Sequence, residues 1–343
     1  MKSDLDIRQT HLLPSSFSRR RLLQAGGVAA LALASGSRAA LATSKYPARP
    51  VSVIVPYAPG GQGDLFARIL SDPLAGLLGE SVVVENRPGA SGMLGTRNVI
   101  RSKADGYTVL MGQTGEIVLI PLANKAAGYD TAKDLSPVAL VGNSPLVMIA
   151  PAKAKFNTPK EAIALAKSKP GGLAYASSGT ATPGHLAAAA LALDTQTDMV
   201  HAPYKGAGQA MTDVIGGQVD FFFSSASAAM SHIKAGTVKA IAVASPERMA
   251  SLPDVPSISE TIIPGFNYSL WGGYFVPKET PTDIVQRLNK DINTLLAQED
   301  IRKRLEADGA AVKQNTPEEF QAFVDQEIAK YRKLIDTLNI TIG

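Results

Sequence analysis

The run Pro59-Gly60-Gly61-Gln62-Gly63-Asp64 is the stretch of this sequence best placed to do chemistry. It lies between a β-branched run at 51–55 and an apolar helical pattern at 65–78, and ligands of open α/β sheets bind outside the carboxyl ends of strands. Glycines there let backbone N–H groups approach an anion, and a helix start adds partial positive charge. The same residues also read as a tight turn with Asp64 as helix N-cap, and sequence physics leaves both readings open. A second run, Ser177-Ser178-Gly179-Thr180-Ala181-Thr182, follows a strand and precedes a helix containing His185. It reads as a donor-rich, uncharged cradle or as a solvated Ser/Thr loop with capping duty. His201-Ala202-Pro203-Tyr204-Lys205-Gly206 and Ser224-Ser225 end two further strands, so several donor-bearing loops look like the walls of a cleft.

Signatures of catalysis are missing. The chain has no G-x-S-x-G elbow, no H-E-x-x-H and no P-loop. Gly61-Gln62-Gly63 and Gly206-Ala207-Gly208 each lack the third glycine of a dinucleotide loop. Cysteine is absent, which excludes thiol catalysis, Fe–S clusters and Cys-ligated zinc. His185, His201 and His232 are far apart in sequence, so neither a metal site nor a cofactor is expected. A Ser177/His185/Asp triad has no supporting spacing, and lone histidines at element ends are expected to be structural.

Alternating strand and helix patterns must position these loops. Strands are expected at 51–55, 82–84, 108–111, 146–150, 173–176, 199–202, 219–223 and 241–244. Helices are expected at 65–78 (bent or split by Pro73), 95–101, from Pro159 behind a Thr158 cap, 183–193, 209–215, 282–297, 301–307 and 317–338. The alternation predicts βαβ units and a parallel sheet. Two α/β rounds and a late helical return suggest two lobes, the C-terminal segment rejoining the first.

Residues 18–42 indicate where the chain works. Ser18-Arg19-Arg20-Arg21-Leu22-Leu23-Gln24 carries an arginine pair, followed by a short apolar run at 25–34 and Ala40-Leu41-Ala42. These are the parts of a cleaved export signal, of twin-arginine type, and the run is too short for an anchor. The expected location is the periplasm. The full chain carries net +4, but residues 1–42 hold six of its 34 basic and two of its 30 acidic residues. The remainder has 28 of each, which gives no warrant for a nucleic-acid or anionic-membrane partner.

The same residues resemble the Bug family, the substrate-binding receptors of tripartite tricarboxylate transport systems. The resemblance covers nearly all of the chain beyond residue 42. It rests on Tyr46-Pro47-Ala48-Arg49-Pro50, Ile54-Val55-Pro56-Tyr57-Ala58-Pro59-Gly60-Gly61 with Asp64, and Val84-Glu85-Asn86-Arg87-Pro88-Gly89-Ala90. Asp105-Gly106-Tyr107-Thr108, Ser177-Ser178-Gly179 with His185-Leu186, the 201–206 run, Gly217-Gln218-Val219-Asp220, Leu252-Pro253-Asp254-Val255-Pro256 and Trp271-Gly272-Gly273 continue it in order.

The resemblance implies an α/β, two-lobe periplasmic binding protein of type II, each lobe a doubly wound sheet with helices on both faces, closing on a small ligand. Lobe 1 would comprise 43–147 with 271–343 and lobe 2 148–270, hinged near 147 and 271. The ligand would be a small carboxylate held at Tyr57, Pro59, Gly60, Gly61 and Asp64. Facing groups would come from Ser177, Ser178, Gly179, Thr180, Ala181, Thr182, His185, Tyr204, Lys205, Gly206 and Ser224. Three departures stand out: the second cradle has lost a glycine, Ser224 replaces a common aspartate, and 113–127 matches weakly. Losing the aspartate disfavours an amino-acid ligand. The expected protein is a monomeric receptor, not an enzyme, serving membrane transporter subunits or a membrane sensor kinase. The competing reading is a periplasmic hydrolase or isomerase on a similar scaffold.

Overall fold

The structure is a computed structural model that describes residues 46–204, 206–307 and 309–342. The export segment expected at 1–42 lies outside the described residues. All the elements named below fall in the compact unit formed by 47–343.

Nine strands order the molecule: β1 (Val51–Val55), β2 (Val82–Asn86), β3 (Thr108–Gln113), β4 (Leu135–Pro151), β5 (Leu173–Ser177), β6 (Met199–Pro203), β7 (Phe221–Ser225), β8 (Val238–Val243) and β9 (Ser269–Pro277). Their order is β2-β1-β3-β9-β4-β7-β5-β6, with β8 also on β4. The expected parallel sheet is therefore corrected to a mixed one. Parallel pairs β1–β2, β1–β3, β5–β6 and β5–β7 are joined through βαβ crossovers. The long strands β4 and β9 run antiparallel to their neighbours and splice the two parallel groups. The pairing of β4 changes partner in mid-strand: Pro145 still faces Ser269 of β9, whereas Leu146 faces Ser225 of β7.

Nine longer helices flank both faces: α1 (Gln62–Leu78), α2 (Met93–Ile100), α3 (Pro159–Ser168), α4 (Pro183–Thr195), α5 (Ala207–Ile215), α6 (Ala226–Lys234), α7 (Thr282–Leu296), α8 (Glu299–Glu306) and α9 (Pro317–Leu338). α3 starts as its sequence predicts, the Thr158 hydroxyl accepting the Glu161 N–H at 3.2 Å. α1 differs from expectation. It begins three residues earlier, its N-cap is Gly61 and not Asp64, and it runs through Pro73 as one helix. An interior proline costs about 3 kcal/mol. Phe66, Ile69, Leu70 and Leu74 are each buried on the stripe around it, and side chains of that size contribute about 1.5–3 kcal/mol each, so burial outweighs the break.

The first group's core is aromatic. Trp271, Phe275 and Phe320 pack at 5.0–6.4 Å between ring centres. Gly273 makes this possible, since a Cβ there would meet the Phe320 ring at 2.4 Å. The Trp271 indole N–H donates to Glu327 on α9 at 3.1 Å, so the C-terminal helix returns to the first group. No helix among the described residues is long and apolar enough to cross a membrane.

Candidate functional site

The loop after β1 is built around Asp64. Its carboxylate accepts the Gly60 N–H at 3.0 Å, the Arg68 Nε–H at 3.0 and 3.1 Å, and the Asn86 amide at 2.9 Å. Burial opposes the charge on Asp64, but the hydrogen bonds from Arg68, Gly60 and Asn86 outweigh it and hold the carboxyl below its usual range. Asn86 also donates to the Tyr57 carbonyl at 3.1 Å. Asp64 is thereby committed to fixing the loop. Gly60 needs its glycine, with φ +91°; Gly61 does not, at φ −83° and ψ 171°. Neither has an atom within 4 Å of where a Cβ would sit, and Pro59, Gly60 and Gly61 are exposed. Behind them, the first-turn N–H groups of α1 have no intrahelical acceptor, as at any helix start. The loop is therefore an exposed edge, braced by Asp64, at the start of α1.

Gln62 ties this edge to the crossing strand. Its Nε2–H donates to Ser144 Oγ at 2.7 Å, while its Oε1 is buried without a partner. Two residues beyond Ser144, β4 turns to β7, where Ser224 lies opposite Val147. The Ser224 hydroxyl is likewise buried and unpartnered.

The second-group loops form a self-satisfied cradle. Ser177 Oγ donates to the Gly179 carbonyl at 2.9 Å and accepts the Gly179 N–H at 3.2 Å. It also lies 2.7 Å from His201 Nε2, a hydrogen bond whose direction follows the His201 tautomer. The Ser177 partner is thus His201 rather than the His185 of the imagined triad. His185 Nδ1 instead accepts the Ala181 N–H at 3.0 Å. The two imidazoles, far apart in sequence, stack with ring centres 3.8 Å apart, and Tyr175 stacks on His201 at 5.0 Å. Burial, and then the neighbouring His201, push the His185 pKa down to about 3; burial lowers that of His201. The pair is neutral at physiological pH. Ala181, where the resemblance marks a lost glycine, adopts φ +54°, a left-handed conformation costing a non-glycine residue roughly 1–2 kcal/mol.

Of the remaining expected residues, Thr182 donates to the Gly179 carbonyl at 2.8 Å, so its hydroxyl is used within the cradle. Thr180 is exposed and Ser178 partly so. The Tyr204 hydroxyl donates to Asp213 at 2.6 Å. Gly206 caps α5 with open space at its Cβ position. Lys205 lies outside the described residues. Among the described residues no hydrogen bond joins 57–64 to the 177–206 loops, and no group of three His, Asp or Glu could hold a metal ion.

One residue escaped the sequence reading. Glu116 sits in a wide π-turn (Gly115–Leu119) after β3 and is fully buried. It accepts from the Tyr57 hydroxyl at 2.7 Å and from the Gln113 N–H. Its signal was a single acid inside the apolar run 115–123.

The comparisons with known proteins agree with this architecture. Residues 66–340 match the family model TctC, described as tripartite tricarboxylate transporter family receptor. Protein BugT of Bordetella pertussis is 35% identical over 301 residues, 88% of this chain and 92% of that protein. The periplasmic binding protein BugD superposes with TM-score 0.74 at 34% identity, covering 86% of this chain and 99% of BugD. Rpa4515 of R. palustris, solved with adipate, gives TM-score 0.79 at 29% identity over 86% and 99% of the two chains. MatC of Rhodopseudomonas palustris, with bound malate, gives 0.73 at 30% over 84% and 100%. The strand order, the two spliced α/β groups and these matches together make the chain a two-lobe periplasmic binding protein, and it belongs to the TctC family of tripartite tricarboxylate transporter receptors.

Proposed function

We propose that this receptor captures a small carboxylate by closing two lobes, 43–147 with 271–343 and 148–270, about a hinge near 147 and 271. The observation that carries the reading is the exposed loop edge at Pro59–Gly61, which Asp64 braces at the start of α1 and which has open space at the Cβ positions of both glycines. A carboxylate there accepts preorganised N–H groups and meets the positive end of the helix dipole. Malate in one relative and adipate in another support a dicarboxylate here, within a range of di- and tricarboxylates or aromatic acids. The neutral Ser177–His201–His185 cradle supports an uncharged opposite wall, with Ser178, Thr180 and Gly206 as its accessible groups. Lys205 and Ser224 complete the proposed contacts. Membrane transporter subunits are the natural recipients, and a sensor kinase is the alternative one.

The hydrolase reading loses ground on the Ser177 geometry. A nucleophilic serine needs a histidine that an acid orients, whereas no carboxylate hydrogen-bonds to His201, 2.7 Å from Ser177, among the described residues. The test is calorimetric titration with mono-, di- and tricarboxylates, aromatic acids and amino acids. Binding of carboxylates without chemical change is expected; selective binding of amino acids, or turnover, contradicts the proposal. Export is proposed to use the twin-arginine route. Arg19→Lys with Arg20→Lys should stop translocation, and unimpaired export of that variant would assign the signal to the general secretory route.

A further inference from the structure

The Tyr57 hydroxyl has two partners and one proton. It lies 2.7 Å from Glu116 Oε2 and 3.1 Å from the Ser91 carbonyl oxygen. A carbonyl only accepts, so the Ser91 contact is a hydrogen bond when Tyr57 donates to it. Glu116 must then supply the other proton, which requires its carboxyl to be neutral. An ionised Glu116 takes the tyrosine proton for itself and leaves Ser91 facing a lone pair.

Packing makes this arrangement tight. A Cβ at Gly92 would lie 3.0 Å from both Glu116 Cβ and Tyr57 Oη, and one at Gly115 would meet Tyr57 Oη at 2.7 Å. The turn released by deprotonation is itself costly, with Ala90 and Ser91 at φ +47° and +53°. Tyr57 directly precedes the Ala58–Gly61 loop, and its main-chain carbonyl is held by Asn86, so its ring sets where that loop edge stands.

No cationic side chain pairs with Glu116 among the described residues. From the 124–134 segment Tyr129 donates to the Glu116 carbonyl oxygen. From α2, Arg97 is bound to the carbonyls of Ala126 and Ala127. On α1, Asp64 and Arg68 are bound to each other. From α9, Asp325, Arg332, Lys333 and Asp336 line an outer groove with Ile117 and Val118, and Glu327 is engaged by Trp271 and Lys330. β9 presents the neutral Trp271, whose main-chain N–H donates to Thr114 Oγ1.

We propose that Glu116 is a positioning residue of the ligand loop and that the receptor binds carboxylates best with Glu116 in its neutral form. This rests on the carboxylate reading above. Losing the proton frees the Ser91 turn and puts a buried negative charge behind the edge that receives an anion. Burial pushes the Glu116 pKa up to about 7, which puts the change between pH 6 and 8.

The experiment titrates malate and adipate by calorimetry at pH 6.0 and 8.5 into wild type, Glu116→Gln and Tyr57→Phe. Glutamine mimics the neutral acid, since its amide N–H can donate to Tyr57 while its carbonyl accepts from Gln113. Wild-type affinity should fall about tenfold over this range, whereas Glu116→Gln should keep the pH 6.0 affinity throughout. Tyr57→Phe should bind several-fold more weakly than wild type at pH 6.0. Wild-type affinity indifferent to pH, or a Glu116→Gln profile parallel to wild type, overturns the proposal.

A ligand-free arm separates this outcome from failure of the carboxylate reading. A folded pKa raised above the unfolded value gives stability that is present below about 4.5 and lost as pH rises through about 7. The wild-type melting midpoint should therefore fall over that range relative to Glu116→Gln. If no carboxylate binds, the ligand reading fails; parallel melting profiles would still overturn the titration of Glu116.

Discussion

At the scale of single residues, much of the candidate site is occupied by its own construction. Asp64, Ser177 and Thr182 were expected to meet ligand, yet each spends its side chain on neighbouring backbone. Residue types at strand ends announce a donor-rich loop, but they do not reveal which donors the loop consumes. The buried histidines carry a prediction. His185 has a folded pKa near 3 against an unfolded value of about 6.5, so the unfolded chain takes up its proton first. Stability from keeping His185 neutral is full above about pH 6.5 and is lost progressively towards pH 3. Denaturant unfolding at pH 7 and pH 4.5 should show a larger acid loss in wild type than in His185→Gln. Equal losses would mean that the stacked pair is solvated.

At the scale of elements, Gly61 marks the point where sequence and structure diverge usefully. Its glycine reads as a backbone necessity, but φ −83° and the open space at its Cβ position admit any residue. Gly61→Val should leave folding intact and put a branched side chain where a carboxylate must approach. Affinity should weaken tenfold or more, about 1.4 kcal/mol. Normal affinity in the folded variant would make this loop only a turn.

Most βα units were legible because hydrophobic period and caps agree, as at Thr158-Pro159-Lys160-Glu161. The first half of β4 was not, since Pro137, Gly142 and Pro145 read as breakers. It forms because its pairing with β9 shifts register between Pro137 and Ala139 and between Leu140 and Gly142, as bulges accommodate such residues. The π-turn holding Glu116 was hidden for a related reason, since no periodic pattern distinguishes a wide turn from a helix.

At the scale of the molecule, the central claim is that a ligand is trapped between two α/β groups that only β4 and the chain entering β9 connect. Closure must then draw its free energy from contacts made in the closed state alone. Small-angle X-ray scattering tests this most directly, comparing the mature protein with and without a carboxylate identified by calorimetry, at about 100 times its dissociation constant. A drop in radius of gyration on adding ligand, absent in Gly61→Val, is the predicted result. A radius of gyration unchanged by a tightly bound carboxylate would contradict the account.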